Sequence, residues 1–291
     1  MSPEVGRKNS RRVSGVAKFK SAIETIEDEH SRWQKKGVPA EHLPFVMHHD
    51  KKTKGAIVLI HGISETPTGM TFLADQYYQQ GFNVITVLLE GHGTSPEALN
   101  RGTMASWRDQ IDHAMKQAGL LGDNVFVGGY SFGGTLAYDA GSRLGNSIAG
   151  VALHSPMLEA SPHVSEKVRE RAREGQKWTS EKADESTPGI SGFTYQRTPT
   201  TAYVAMLDTM NELKSTWTTS PISPQVYVVY GEADTIAAPS ATQSFLAAQA
   251  VPPSHVLTIP GGGHDDAVRV TKRKKFPTDR MGNFIHQMLA Q

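Results

Sequence analysis

The sequence contains no cysteine among its 291 residues, which excludes a disulfide framework and fits a reducing compartment. No apolar run approaches the ~20 residues that a membrane-spanning helix needs. Arg11 and Arg12 could belong to a twin-arginine export signal, but the apolar stretch that must follow is interrupted by Lys18, Lys20 and Glu24. We therefore predict a cytoplasmic protein without a membrane-spanning helix.

The chain also lacks a strong net charge. Its formal charge at pH 7 is +1, so no overall field favours nucleic acid, and we predict no nucleic-acid partner. Charge is concentrated at the N-terminus, where Glu4 stands among the basic residues Arg7, Lys8, Arg11, Arg12, Lys18 and Lys20. The sequence predicts a disordered, solvated basic tail over residues 1–15. The alternative is a basic arm that contacts a partner or anionic lipid, which would give peripheral membrane contact.

Apolar runs of strand length alternate with helical patterns along most of the chain. Strand-like runs cover residues 43–49, 55–62, 82–89, 124–129, 147–156, 225–231 and 255–260, and the first two are typical of a hairpin. Helical patterns cover residues 16–36, 66–81, 103–119, 132–145, 239–250 and 278–290. This alternation predicts βαβ units, and near-continuous Val, Ile and Leu runs are typical of parallel strands buried on both faces. The predicted fold class is α/β, with a mostly parallel central sheet flanked by helices.

The alternation stops between residues 157 and 223. This segment contains a charged helical run, then a stretch rich in Gly, Ser, Thr and Pro, then a second helical run. A connection of this length is usually either functional or disordered, and its two helical patterns favour a functional one. We interpret it as a helical cap or lid, inserted into a core formed by residues 16–156 and 224–291.

A G-x-S-x-G motif occupies residues 129–133, between a predicted strand and a predicted helix. A nucleophilic serine on a sharp strand-to-helix turn requires this context. The reversal forces Ser131 into a strained backbone conformation, and side chains at positions 129 and 133 would collide, which explains both glycines. The N–H of Phe132, at the start of the helix, would face an anion formed beside Ser131. Glycines also occur in ordinary tight turns, so the motif alone leaves a structural interpretation open.

A serine at neutral pH needs a base and an orienting acid to act as a nucleophile. Two later strands supply both at their carboxyl ends. Asp234 follows the run at 225–231, and His264 follows the run at 255–260. Glu232 follows the same strand as Asp234 and is the alternative acid. A second backbone donor is expected after an earlier strand, and the N–H of Ile63 meets that expectation.

Five motifs in this order resemble the α/β-hydrolase superfamily, and within it the branch of monoacylglycerol lipases and carboxylesterases. They are LIHGIS at 59–64, LLEGHGTSP at 88–96, GGYSFGG at 128–134, GEADTIA at 231–237 and GGGHDD at 261–266. The resemblance implies the α/β-hydrolase fold, with the segment 157–223 as its cap. It implies Ser131 as the nucleophile, Asp234 as the acid and His264 as the base, with the N–H groups of Ile63 and Phe132 as the oxyanion hole.

The activity implied by the resemblance is hydrolysis of carboxylic esters, of the carboxylesterase or monoacylglycerol lipase type, through an acyl-enzyme. Its substrate would be a small-molecule or lipid ester. It implies no cofactor, and we predict no metal site because adjacent residues such as those at 264–266 rarely converge on one ion. A thioesterase, a peptidase and an acyltransferase are alternatives on the same scaffold, since fold and triad do not determine the substrate. A non-catalytic lipid-binding protein is the alternative from another class.

Four residues are candidates for the wall of a substrate pocket: Ser155, Met157, Met206 and Met210. Ser155 ends the strand before the cap segment. Met206 and Met210 belong to a helical run with apolar residues at i, i+3 and i+4 spacing, and their alternative role is the core face of that helix. The sequence leaves open the acyl chain length, the alcohol and the oligomeric state.

Overall fold

A seven-stranded sheet is the centre of the fold. The computed structural model describes residues 3–180, 190–219, 221–269 and 278–290. The strands of the sheet are β1 (Val46–Met47), β2 (Thr53–Ile60), β3 (Phe82–Val87), β4 (Gly122–Tyr130), β5 (Gly150–His154), β8 (Gln225–Gly231) and β9 (Val256–Ile259), and a separate hairpin contains β6 (Ile190–Ser191) and β7 (Thr194–Tyr195). Their spatial order is β1-β3-β2-β4-β5-β8-β9. All neighbouring pairs are parallel except β1 with β3.

Helices cover both faces of this sheet. They are α1 (Pro3–Lys35), α2 (Thr71–Gln79), α3 (Met104–Leu121), α4 (Phe132–Leu144), α5 (Pro162–Arg173), α6 (Thr200–Trp217), α7 (Pro239–Ala248) and α8 (Thr278–Leu289). One apolar core lies between the sheet and α1, α3, α4 and α7, and the other lies between the sheet and α2 and α8. Every residue of β3 and β5 is buried, which confirms the prediction of parallel strands covered on both faces.

The pairing of β1 differs from the hairpin that the sequence pattern indicates. Val46 is opposite Ile85 and Met47 is opposite Val84, so β1 is antiparallel to β3 and does not pair with β2. β2 is already flanked by β3 and β4. The polar turn after β1 therefore carries the chain past β3, and β1 covers what would otherwise be an open sheet edge.

The first helix is longer than the sequence pattern predicts. It begins at Pro3 and so includes residues that the charge run assigns to a disordered tail. Proline is favoured at the first helical position, and a run of charge predicts solvation without excluding helix. Phe19, Ile26 and Trp33 are buried on one face, as the periodicity predicts. No helix in the described ranges combines the length and the apolar composition needed to cross a bilayer.

The segment between β5 and β8 contains α5, the β6–β7 hairpin and α6. Part of the Gly/Ser/Thr/Pro-rich stretch, residues 181–189, lies outside the described residues. The hairpin bonds to the loop after β2: the N–H of Tyr195 donates to the carbonyl of Ser64 at 2.7 Å, and the N–H of Thr66 donates to the carbonyl of Phe193 at 3.0 Å. The segment therefore lies over the edge of the sheet where the parallel strands end.

That edge contains the topological switch point of the sheet. After β2 the chain continues to β3 on one side, whereas β4 lies on the other side of β2 and leads to β5. Loops at such a point diverge and leave a crevice at the carboxyl ends of the strands, where α/β proteins bind ligands.

Candidate active site

Ser131 occupies the sharp turn between β4 and α4. Its φ is 54°, a positive value that a residue with a side chain rarely adopts. A Cβ on Gly129 would overlap the carbonyl group of Gly133, and a Cβ on Gly133 would overlap the carbonyl of Ile60. Close backbone approach therefore requires both glycines. Gly134 is less constrained, since its Cβ would lie 3.0 Å from Pro156.

The turn presents Ser131 to two side chains from later loops. The hydroxyl of Ser131 donates to His264 Nε2 at 2.9 Å, and His264 Nδ1 donates to Asp234 Oδ2 at 2.7 Å. Asp234 lies in the loop after β8, and His264 begins a short 3₁₀ helix after β9. Because parallel strands end at the same edge of a sheet, residues far apart in the sequence meet here.

Asp234 is held in a fixed orientation. Its Oδ1 accepts from the N–H groups of Ile236 at 2.8 Å and Ala237 at 3.0 Å, which leaves Oδ2 for His264. Asp234 is buried, whereas Glu232, the alternative acid on the same loop, is exposed. The structure therefore brings Asp234, and not Glu232, against His264.

The loop after β2, residues 61–66 and here named the β2 loop, is supported by two buried histidines. His61 Nδ1 donates to the neighbouring carbonyl at 2.9 Å, and its Nε2 accepts from the N–H of Leu89 at 3.3 Å. His92 Nε2 donates to the carbonyl of Ile63 at 2.8 Å. Burial lowers the pKa of His61 well below its ordinary value and the pKa of His92 to about 4. Both imidazoles are therefore neutral at pH 7 and serve as hydrogen-bonding supports.

Two backbone donors flank Ser131. Phe132 is the first residue of α4, so its N–H has no carbonyl acceptor within the helix. Ile63, in the β2 loop, borders the same cavity as Ser131. Donors that are fixed by the backbone can stabilise a developing negative charge without reorganising. The arrangement is therefore suited to an anionic tetrahedral intermediate.

A cavity of about 230 Å³ adjoins Ser131 and His264. Its lining includes the apolar side chains of Met157 and Ile236, the phenol of Tyr130 and the charged side chains of Glu65, Asp265 and Arg269. The cavity can therefore contact both apolar and polar groups of a molecule beside the serine.

The four predicted pocket residues occupy different environments. Met157 lies in the wall of this cavity. Ser155 is buried, with φ of 40° and its N–H bonded to the carbonyl of Val229 at 2.7 Å. Met206 and Met210 are buried in the core beneath α6. Neither methionine lines this cavity, and their place in a pocket wall stays a prediction beside the alternative that they form the core face of α6.

The sequence pattern did not predict the polar and charged residues that line the cavity. Glu65 carried a weak signal, because it is an acidic residue directly after an apolar strand and the His-Gly pair. Arg269 carried none, since it follows His264 by five residues with no periodic pattern around it. Tyr130 precedes the serine, and the apolar pattern there predicts only a buried strand. These residues meet only after the loops are folded together.

The chain matches known hydrolases in sequence. The model of a family described as the alpha/beta hydrolase family matches residues 57–272. A thermostable monoacylglycerol lipase of Bacillus sp. (strain H-257) is 35% identical over 80 residues, which are 28% of this chain and 32% of that lipase. The match therefore spans about a third of the length of this curated relative.

Solved structures share the fold over nearly their whole length. One of them comes from work on LipS and LipT, two metagenome-derived lipolytic enzymes. It aligns with a TM-score of 0.68 and 20% identity, over 86% of this chain and 99% of that one. A monoacylglycerol lipase of Paleococcus ferrophilus aligns with a TM-score of 0.64 and 17% identity, over 85% of this chain and 98% of that one. At these identities the likeness concerns the fold, and it confirms the predicted fold class.

Proposed function

The chain belongs to the alpha/beta hydrolase family, and we propose that it is a serine hydrolase of carboxylic esters. In this proposal Ser131 is the nucleophile, His264 is the general base and acid, and Asp234 orients His264. The observation that carries the proposal is the continuous pair of contacts from Ser131 Oγ to His264 Nε2 and from His264 Nδ1 to Asp234 Oδ2, at 2.9 and 2.7 Å. Such a chain of contacts activates a serine that is otherwise a weak nucleophile.

The reaction proceeds in two halves. Ser131 Oγ attacks the ester carbonyl carbon while its proton moves to His264 Nε2, and the oxyanion binds the N–H groups of Ile63 and Phe132. The carbon–oxygen bond to the alcohol then breaks, and the alcohol leaves with the proton from His264. Water, deprotonated by His264, attacks the acyl-enzyme, which releases the acid and returns the proton to Ser131.

The substrate class follows from the cavity and from similarity. Met157 and Ile236 supply an apolar surface for an acyl chain. The relatives include a monoacylglycerol lipase of Bacillus sp., so we propose an acyl ester of a lipid alcohol. The segment 157–223 is proposed to act as the cap, because its hairpin bonds to the β2 loop beside the cavity.

Substitution of the serine tests the proposal. We expect Ser131→Ala to lower turnover of p-nitrophenyl butyrate at least a thousandfold, because loss of a triad nucleophile costs on the order of 10⁶ in kcat. The variant should also resist labelling by a fluorophosphonate probe. Ser215→Ala is the matched control, since Ser215 lies on the exposed side of α6; it should keep full activity and labelling.

Full activity in a folded Ser131→Ala variant would contradict the mechanism. Absence of both labelling and turnover in the unaltered protein would instead favour the non-catalytic lipid-binding alternative. A panel of p-nitrophenyl esters from acetate to palmitate, run beside a monoacylglycerol and an acyl thioester, then separates an esterase from a lipase and from a thioesterase.

A further inference from the structure

A single arginine links the loops on which the proposed catalytic groups lie. Arg269 Nη2 donates to Glu65 Oε1 at 2.5 Å and lies 4.0 Å from Asp265 Oδ1. The hydroxyl of Tyr130 donates to the same oxygen of Asp265. We name Glu65, Tyr130, Asp265 and Arg269 the Arg269 network. Its members come from the β2 loop, the end of β4 and the loop after β9.

Aromatic rings enclose the guanidinium of this network. The guanidinium carbon lies 5.2 Å from the ring centre of Tyr130 and 4.7 Å from that of Phe193. Both distances are within the range of a cation–π contact. Phe193 lies between β6 and β7, so the hairpin of the proposed cap closes one side of the network. Arg269, on the loop after β9, therefore contacts three other segments: the β2 loop, the end of β4 and the hairpin.

Three members of the network lie within one or two residues of a proposed catalytic group in the chain. Tyr130 precedes Ser131, Asp265 follows His264, and Glu65 is two residues after Ile63. The Tyr130 ring also lies 5.1 Å from the imidazole of His264. Because these residues adjoin the proposed catalytic groups in the chain, we expect movement of Arg269 to shift a backbone donor and the base relative to the nucleophile.

The network is incompletely bonded, which argues against stability as its only role. The side chains of Glu65 and Arg269 are 7% and 19% exposed. Glu65 Oε2 and Arg269 Nε are nevertheless buried without a hydrogen-bond partner in the part of the chain that the structure describes. Burial raises the pKa of Glu65, and the charge of Arg269 opposes that rise. A buried ion pair is weak evidence for a stabilising role, because the cost of removing both charges from water offsets their attraction.

We propose that Arg269 is a positioning residue. It keeps the β2 loop and the loop after β9 at fixed positions relative to Ser131. The inference rests on the proposed function, because the relative position of the two loops and Ser131 matters only if all three act on one substrate. Arg269 touches none of the proposed reacting atoms and acts through Glu65, Asp265 and Tyr130. Its loss changes the geometry of transition-state contacts more than the binding of the substrate.

The test compares single and paired substitutions in the full chain. Arg269→Met and Glu65→Met each leave one buried charge without its partner, so each should lower both Tm and kcat. The double variant removes both charges with side chains of similar length, and we expect it to recover Tm. Its kcat for p-nitrophenyl butyrate should stay at least tenfold below that of the unaltered protein, with KM within threefold. Misplacing catalytic groups by about 1 Å costs roughly a hundredfold in rate.

Two further variants sharpen the result. Arg269→Lys keeps the charge but not the planar fork, so it should restore part of the kcat that Arg269→Met loses. Tyr130→Phe removes only the hydroxyl bond to Asp265 and should lower kcat by a smaller factor. Asp139→Asn is the control: it weakens the pairing of the buried Asp139 on α4 with Arg108, a partly exposed residue on α3, so it should lower Tm and leave kcat within twofold.

Recovery of kcat together with Tm in the double variant would overturn the proposal, because the network would then act only through stability. Wild-type kcat in a folded Arg269→Met variant would also overturn it, as would a fall in kcat for Asp139→Asn equal to that of the network variants. If either single variant fails to fold, the double variant and Tyr130→Phe decide the question. Fluorophosphonate labelling of Ser131 in the unaltered protein separates failure of this inference from failure of the proposed function.

Discussion

The two ends of α4 differ in backbone strain and in how the charged groups beside them are hydrogen-bonded. At the N-terminal end, Ser131 has a positive φ, and the nearby pair of Glu65 and Arg269 leaves buried polar atoms without partners in the described residues. In the C-terminal half, Asp139 accepts from Arg108 at 2.6 and 2.9 Å and from Arg143 at 3.0 Å. One end contains a strained turn and a pair with unpartnered buried atoms in the described residues, whereas at the other end both carboxylate oxygens of Asp139 accept from arginines.

The bonding in the C-terminal half has a plain structural role. Arg143 also donates twice to Asp112, so the network ties α4 to α3. A basic residue in the last turn of a helix is also favoured by the helix dipole. The comparison indicates that the fold gains stability away from the cavity and loses some of it beside the cavity, as proteins commonly do at functional sites.

The most damaging change to the N-terminal end is Gly133→Ala. The added methyl group would overlap the carbonyls of Ile60 and His61, so the turn has to move. We expect turnover to fall at least a hundredfold, because a shift of about 1 Å has that effect, and the free energy of unfolding to fall by about 3 kcal/mol. Kinetics with p-nitrophenyl butyrate and urea unfolding measure both quantities.

The neighbouring glycine provides the control for this prediction. A methyl group on Gly134 would lie 3.0 Å from Pro156, which a small adjustment accommodates. Gly134→Ala should therefore cost less than half as much free energy of unfolding as Gly133→Ala and should keep measurable turnover. Equal losses in the two variants would show that the overlap at residue 133 is not the cause.

A change in the C-terminal half should reverse the pattern of effects. Asp139→Ala leaves Arg108 and Arg143 without their buried acceptor. Because both arginine side chains are more than a quarter exposed, they can turn towards solvent, and we expect a loss of about 2–3 kcal/mol in the free energy of unfolding, below the range for a fully buried pair. Turnover at 25 °C should stay within twofold. A tenfold fall in kcat with the fold retained would remove the distinction between the two ends.

Acid should destabilise the protein through buried histidines near the N-terminal end of α4. Burial lowers the pKa of His92 and His154, both near the N-terminal end, to about 4. In the unfolded chain the histidine pKa is about 6.5, so between about pH 6.5 and pH 4 the unfolded chain binds more protons than the folded one. The free energy of unfolding therefore falls as the pH drops through this range, by roughly 1.4 kcal/mol per pH unit for each histidine. Urea unfolding at pH 6.5, 5.5 and 4.5 measures this slope.

His92→Gln isolates one contribution to that slope. The glutamine Nε2 can take the place of His92 Nε2 as donor to the carbonyl of Ile63, but it does not titrate. The slope should become shallower by roughly 1.4 kcal/mol per pH unit. An unchanged slope would mean that His92 does not carry this part of the acid sensitivity.

Local patterns predicted most of the fold and the central part of the candidate site. The buried strands were recognisable because strands covered on both faces consist of continuous apolar residues. The residues Ser131, Asp234 and His264 were recognisable because each follows a strand and each has a residue type suited to its proposed role. The turn at Ser131 was predictable because only glycine fits at residues 129 and 133.

Other features depended on contacts that no local pattern encodes. The partner of β1 was predicted as β2 and is β3, because sheet edges are assigned by the whole topology. The start of α1 was predicted at residue 16 and lies at Pro3, because charge density is a poor guide to helix. Met206 and Met210 have the spacing of an apolar helix face, which does not distinguish the core from a cavity wall.

The sequence by itself determined the strained turn, the order of the candidate catalytic residues and the α/β class. Each of these follows from steric and periodic rules that act over a few residues. Only the tertiary structure decided that Glu65, Tyr130, Asp265 and Arg269 meet beside the serine. Their contacts join loops that are separated by as many as 204 residues, and side-chain interactions at such separations are set by how the strands are ordered in the sheet.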